Sequence, residues 1–149
     1  MKKVVIIFCS ILLAWFLLDM TGLYFGNTYL VSRSFKDDWI FMAIYVAVFV
    51  LFIIKDKIGK YFLGGWLLMW LLTQFYFHWF NTITGKGLDK IEYFKDSIKL
   101  IDSQTRYIPD LYHIILHILI LLALIFVAIC IFKSKNKKEN INNINDYFN

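Results

Sequence analysis

The chain has 149 residues, of which 60% are hydrophobic, and its formal net charge at pH 7 is +5. A soluble domain of this length could not bury so much apolar surface, so the composition favours a lipid bilayer as the solvent. The basic excess comes from lysines that flank the apolar runs rather than from a basic stripe with interleaved aromatic residues, so nucleic acid is not an expected partner.

Four apolar runs follow one another along the chain, at residues 4–25, 39–54, 61–80 and 111–132. A helix needs about 20 apolar residues to cross a hydrocarbon core of roughly 30 Å. The second run is slightly short, so we expect its helix to include residues 35–38 as well, or the helix and the bilayer to adapt to the hydrophobic mismatch. The pattern therefore predicts an all-α integral membrane protein, a four-helix transmembrane bundle that forms one domain at 1–132.

Lysine and arginine are distributed unevenly between the two ends of this predicted bundle. The termini and the link at 55–60 hold nine basic residues against three acidic ones, whereas the segments 26–38 and 81–110 together hold seven of each. By the positive-inside rule, we expect a multi-pass protein of the cell membrane with both termini in the cytoplasm. The richness in Ile, Lys, Asn and Phe indicates the coding bias of an AT-rich bacterium.

The segment between the third and fourth runs has a helical pattern of its own. One apolar stripe recurs at steps of three and four residues, formed by Leu88, Ile91, Phe94, Ile98 and Ile101. This spacing predicts an amphipathic helix at 88–103 that lies on the outer membrane surface or covers the bundle. The Asn- and Lys-rich residues 133–149 predict a disordered cytoplasmic tail, because they hold too little apolar surface to fold alone.

Several polar residues fall inside the apolar runs or at their boundaries. Ionisable groups in such helices cost a few kcal/mol each on insertion scales, so they mark a function or a specific partner. A rise of 1.5 Å per residue places all of these groups in the outer leaflet, although they belong to different helices. The candidate polar cluster consists of Asp19, Gln74, His78, Asp110, His113 and His117.

The histidines of this cluster suggest a metal site. His113 and His117 are four residues apart and could bind one ion, with a third ligand from His78 or Asp19. Zinc accepts three such ligands and a water molecule, but the glutamate of the HExxH metalloprotease motif is absent. A haem is disfavoured, because no pair of histidines spans two membrane levels.

Two other interpretations of the cluster stay open. The polar groups could form a hydrogen-bonded network that holds the helices together, or they could be independent interfacial residues near lipid headgroups. Asp110 also suits an ordinary helix start, where it would cap the helix and complement its dipole. We expect His113 and His117 to face the bundle interior, within reach of Asp19 or His78, because an unpaired polar group in hydrocarbon costs several kcal/mol.

Three functions are compatible with the sequence. The first is a non-catalytic accessory, immunity or stress-related factor that acts through contacts with other membrane proteins or with copies of itself. The second is a metal-binding membrane enzyme, and the third is a proton- or ion-handling protein; both would use the His/Asp cluster. Polar side chains in hydrogen-bond contact inside the bundle would favour the second or third function, and side chains directed at headgroups would favour the first.

Overall fold

A computed structural model describes the backbone of residues 1–147 and the side chains of residues 1–136. The chain is 74% helical. Among the described residues, three helices are long and apolar enough to cross a membrane, at Lys2–Thr21, Phe35–Ile54 and Leu111–Asn136. The elements in chain order are α1 (Lys2–Thr21), β1 (Leu23–Phe25), β2 (Thr28–Val31), α2 (Phe35–Ile54), α3 (Asp56–Gln74), a π-helical turn (Phe75–Phe80), α4 (Asn81–Thr84), α5 (Asp89–Tyr93) and α6 (Leu111–Tyr147).

The four long helices form a closed ring of neighbours. α1 packs against α2 and α6, and α3 packs against the same two helices from the other side. The largest side chains between them are fully buried, with Trp70, Tyr45 and Phe52 at or below 1% exposure. α2 begins at Phe35, so the second helix does include the residues 35–38 that its short apolar run was expected to borrow.

The α2–α3 hairpin depends on a close approach at one glycine. Lys55 alone separates the two helices, and the Gly59 N–H donates to the Lys55 carbonyl oxygen at 2.8 Å. A β-carbon on Gly59 would meet the Phe52 backbone nitrogen at 2.5 Å, whereas one on Gly65 would meet nothing within 4 Å. Gly59 is therefore the point at which α2 and α3 touch through their backbones.

A β-hairpin at the opposite end of the bundle was not expected from the sequence. The first apolar run was predicted to be helical to residue 25, but α1 ends at Thr21 and is followed by Gly22 with a φ of 75°. β1 and β2 then pair antiparallel, with Tyr24 opposite Tyr29. The turn between them includes Gly26, whose φ of 61° lies in the left-handed region that favours glycine.

The predicted amphipathic helix at 88–103 is wrong in its extent. Helix α5 covers only Asp89–Tyr93, and Leu88 and Ile101, at the two ends of the proposed apolar stripe, are 58% and 61% exposed. The chain after α5 instead bonds to the hairpin, because the Tyr29 N–H donates to Asp96 O at 3.1 Å and the Ile98 N–H donates to Tyr29 O at 2.9 Å. These bonds satisfy backbone groups that a continued helix would have paired internally.

The C-terminal region also differs from the prediction. Residues 133–149 were expected to be disordered, but α6 continues through this segment to Tyr147. A long apolar helix has already met the cost of nucleation, so each further residue adds a backbone hydrogen bond at little expense. Phe148 and Asn149 lie outside the described residues.

The contact at Gly59 gives a direct test of the hairpin. We expect Gly59→Ala to destabilise the protein in detergent by about 1–3 kcal/mol, because the methyl group overlaps the α2 backbone. Gly65→Ala is the matched control, since it adds the same methyl group to the same helix in open space. Equal unfolding midpoints for the two variants in a denaturant titration would contradict this packing.

Candidate functional site

A cavity of about 370 Å³ opens at the end of the bundle that carries the β-hairpin. All four long helices contribute to its walls, together with β2 and the segment around α5. We call it the outer cavity, after the outward orientation that the lysine distribution predicts for this end of the bundle. Its lining residues with carboxyl, amide, imidazole or ammonium groups are Asp19, Asp38, Gln74, His78, Lys90, Asp110 and His113.

Asp110 organises the first turn of α6. Its Oδ1 accepts the His113 backbone N–H at 3.0 Å and contacts His113 Nδ1 at 2.7 Å, while the residue is only 1% exposed. A carboxylate accepts hydrogen bonds, so it favours the His113 tautomer with a proton on Nδ1. The Nε2 of His113 then keeps its lone pair, which is the arrangement that a base or a metal ligand requires.

His78 belongs to the π-helical turn and lies beside His113 of α6. The centroids of the two rings are 4.2 Å apart, and His78 Nδ1 contacts the Tyr107 hydroxyl at 2.6 Å. Burial, with Asp110 nearby, raises the pKa of Tyr107 far above its usual value, so this phenol stays protonated and can either donate to the ring or accept from it. One nitrogen of His78 is thus held by Tyr107, and its Nε2 is not part of that contact.

His117 occupies a different position from the other two histidines. Its Nδ1 accepts the Trp79 indole N–H at 2.8 Å, and its Nε2 contacts Gln74 Oε1 at 3.1 Å. Both nitrogens are therefore used, the first as an acceptor and the second as a donor. The ring is 5.4 Å from that of His78 but does not line the outer cavity, so His117 links α6 to α3 and to the π-helical turn.

Asp19 is paired with a residue that sequence reasoning did not select. Its side chain lines the outer cavity together with that of Asp38 from the first turn of α2, and the Ser34 N–H donates to Asp19 O at 2.9 Å. Of the two partners expected for His113 and His117, His78 lies beside both rings, whereas Asp19 lies with residues at the start of α2. Asp38 could have been found from its position in the first turn of a short apolar run, three residues before Phe41.

Lys90 is the cationic side chain of the cavity lining. Its ammonium group donates to the Phe77 carbonyl oxygen and lies 5.4 Å from the centre of the Tyr107 ring. Burial lowers the pKa of Lys90, and the neighbouring Asp89 partly opposes that shift. The lysine is held against a carbonyl oxygen and an aromatic ring rather than against the cavity carboxylates.

The three histidines come together, but they do not form a ready metal site. No group of three or more His, Cys, Asp or Glu side chains in the described part of the chain has an arrangement suited to a metal ion. The ring separations of 4.2, 5.4 and 6.4 Å nevertheless make one cluster of His78, His113 and His117. His117 would have to give up a hydrogen bond to act as a ligand, whereas His113 would not.

Comparisons with protein-family models, with curated proteins and with solved structures returned no match for this chain.

The Trp79–His117–Gln74 contacts can be tested by a double-mutant cycle. We expect Trp79→Phe to cost about 1 kcal/mol of stability, since it removes one hydrogen bond and keeps an aromatic ring. In a His117→Ala background the same change should cost almost nothing, because its partner is already absent. The control is Trp39→Phe on the exposed surface of α2, which should be neutral in both backgrounds; strictly additive losses for Trp79→Phe in reversible detergent unfolding would exclude the contact.

Proposed function

We propose that the chain is a four-span protein of the cell membrane, with cytoplasmic termini, that binds a cation from the outside in the outer cavity. The histidine side of the cavity would take a proton or a divalent metal ion such as zinc. The negative lining of the cavity carries this proposal, and the orientation of His113 by Asp110 specifies the histidine side. No catalytic step is part of the proposal.

The fourth span would be α3 with its continuation through the π-helical turn. The segment 56–80 is uninterrupted helix, and a helix of that length extends over roughly 35 Å, enough to cross the hydrocarbon core. It lies between α2 and α6, both of which meet the length and hydropathy expected of a span. A helix that packs along two membrane-spanning neighbours is expected to cross the membrane beside them.

Contacts at the other end of the bundle support the proposed orientation. Lys2 Nζ donates to Ile53 O at 2.9 Å, and Lys60 Nζ donates to Ser134 Oγ at 2.6 Å. The N-terminus, the α2–α3 link and the lysine-rich part of α6 therefore lie together. By the positive-inside rule, this end faces the cytoplasm and the outer cavity faces outward.

The charge of the cavity favours a cation as its ligand. Three carboxyl groups line it, from Asp19, Asp38 and Asp110, and the single lining lysine is already in contact with a carbonyl oxygen and aromatic rings. Electrostatic attraction is strong in such a site, because water is partly excluded and the effective dielectric constant is low. A bound cation would offset the repulsion among the carboxylates.

The inner half of the bundle argues for binding rather than transport. The buried side chains there are almost all apolar among the described residues, and the Tyr45 hydroxyl is bonded to the Cys9 carbonyl oxygen at 2.8 Å. Lys60 is the buried charge at the far end, and it is bonded to Ser134. A proton or ion that entered the outer cavity would meet a closely packed apolar layer below Trp70.

A second candidate is the non-catalytic accessory, immunity or stress-related factor, acting through other membrane proteins or a second copy of the chain. The saturated hydrogen bonds of His117 favour it, because they show that part of the polar cluster serves to join helices. In that case the outer cavity would hold only water, and the polar residues would be needed for folding alone.

Zinc binding to the purified protein separates these two candidates. We expect calorimetry in detergent to show zinc binding that weakens by at least about tenfold in His113→Ala and by about tenfold in Asp110→Asn, which misorients His113. His117→Gln is the control, and its zinc affinity should stay close to that of the parent protein. Binding that is absent, or that is unaffected by His113→Ala together with His78→Ala, would favour the accessory function.

Reporter fusions test the proposed topology. An enzyme that is active only outside the cytoplasm should give a signal when fused after residue 95, and one that is active only in the cytoplasm should do so after residue 136. The reason is the excess of basic residues near the termini and the link at 55–60. A cytoplasmic signal at 95 would overturn the orientation, and opposite locations for the N-terminus and residue 136 would overturn the four spans.

A further inference from the structure

The wall of the outer cavity opposite the histidines carries a pair of carboxyl groups. Asp19 lies in the last turn of α1 and Asp38 in the first turn of α2, and both side chains line the cavity, close enough to interact electrostatically. Asp19 is only 6% exposed. Two carboxyl groups in the wall of one partly buried cavity attract a cation or share a proton, because their like charges repel each other.

A residue in the wall of the same cavity carries an unpaired hydroxyl group. Tyr112 lines the cavity and is 1% exposed, and its Oη has no hydrogen-bond partner among the described residues. The hydroxyl lies within electrostatic reach of Asp19, Asp38 and Asp110. A buried hydroxyl without a partner is costly, so its presence beside the carboxyl pair points to a ligand that would bond to both.

Aromatic rings form the floor beneath this pair. Phe16 lies one turn below Asp19 on α1, and Phe41 lies one turn below Asp38 on α2. Both rings contact Trp70 of α3, with centroids 4.7 and 6.2 Å from its own. A cation above such rings is attracted by their π faces, and an apolar group attached to it can pack against them.

The size of the cavity distinguishes among the possible cations. A bare metal ion would leave most of about 370 Å³ empty, whereas cavities of about 300–1,000 Å³ typically hold small organic molecules. We propose that the Asp19–Asp38 wall binds an organic ammonium group, which donates hydrogen bonds to the carboxyl pair and to Tyr112 Oη while its apolar part packs on Phe16, Phe41 and Trp70. This inference rests on the proposed function and names the ligand class of the same cavity.

Benzylammonium is the probe, and benzyl alcohol is its uncharged counterpart of similar shape. Calorimetry on the full chain in nanodiscs should show binding of benzylammonium and at least about tenfold weaker binding of benzyl alcohol. Asp38→Asn should weaken benzylammonium binding by at least about tenfold, and Tyr112→Phe by about threefold to tenfold. The matched control is Asp37→Asn, which changes an exposed aspartate next to Asp38 that does not line the cavity.

The lipid of the nanodisc identifies the source of the ammonium group. If benzylammonium binds more weakly in phosphatidylethanolamine than in phosphatidylcholine, a lipid headgroup occupies the site, because only the former headgroup has N–H donors. Equal affinity in the two lipids assigns the site to a free amine. Both outcomes support an ammonium ligand.

Zinc binding serves as the independent control for folding and for the proposed function. Tyr112→Phe should keep the zinc affinity of the parent protein, because it retains the ring that packs against His113 at 5.3 Å, and Asp38→Asn should still bind zinc through His78 and His113. The ammonium inference is wrong if zinc binds but benzylammonium does not. It is also wrong if Asp38→Asn and Asp19→Asn bind benzylammonium as tightly as the parent protein does. In both cases the proposed cation site at the histidines still stands. If neither ligand binds, the proposed function and this inference both fail.

Discussion

The outer end of the molecule depends on the contact between Asp110 and His113. A buried carboxylate needs hydrogen-bond donors, and Asp110 finds two of them one turn further along, at the backbone and the ring of His113. The same contact caps α6, sets the direction of the His113 ring and fixes the point at which the outer segment joins the bundle, where the Leu111 N–H donates to Ile98 O at 2.9 Å. The Asp110–His113 contact therefore shapes both the start of α6 and the histidine side of the cavity.

Polar residues are unequally divided between the two halves of the bundle. In the outer half, polar side chains from different elements are paired, as in Trp79–His117 and His78–Tyr107. In the inner half, the buried side chains are almost all apolar among the described residues, and α2 and α3 meet through their backbones at Gly59. Apolar burial in the inner half stabilises the fold, and the outer half can therefore contain a cavity that side chains do not fill.

The sequence predicted the long helices and the convergence of the polar cluster, because both follow from local rules. The apolar runs predicted where the helices lie, and the rise per residue of a helix predicted that His78 and His113 lie at a similar depth. The hairpin at Leu23–Val31 and the short α5 were not predictable in this way. Backbone bonds between Tyr29 and residues 96–98 join the hairpin to the segment after α5, and the three–four spacing at 88–101 carries no information about such long-range pairs.

The pairings inside the cluster were also beyond the reach of the sequence. Depth and helical face showed that Asp19 and His117 both needed partners, but they did not show which ones. The π-helical turn at Phe75–Phe80 changes the direction in which His78 and Trp79 project, and no local sequence pattern predicts this turn. Asp19 meets another acid, Asp38, instead of a base. A polar network built only for stability would pair opposite groups, so a carboxyl pair beside an unpaired hydroxyl is better explained by a cation that completes it.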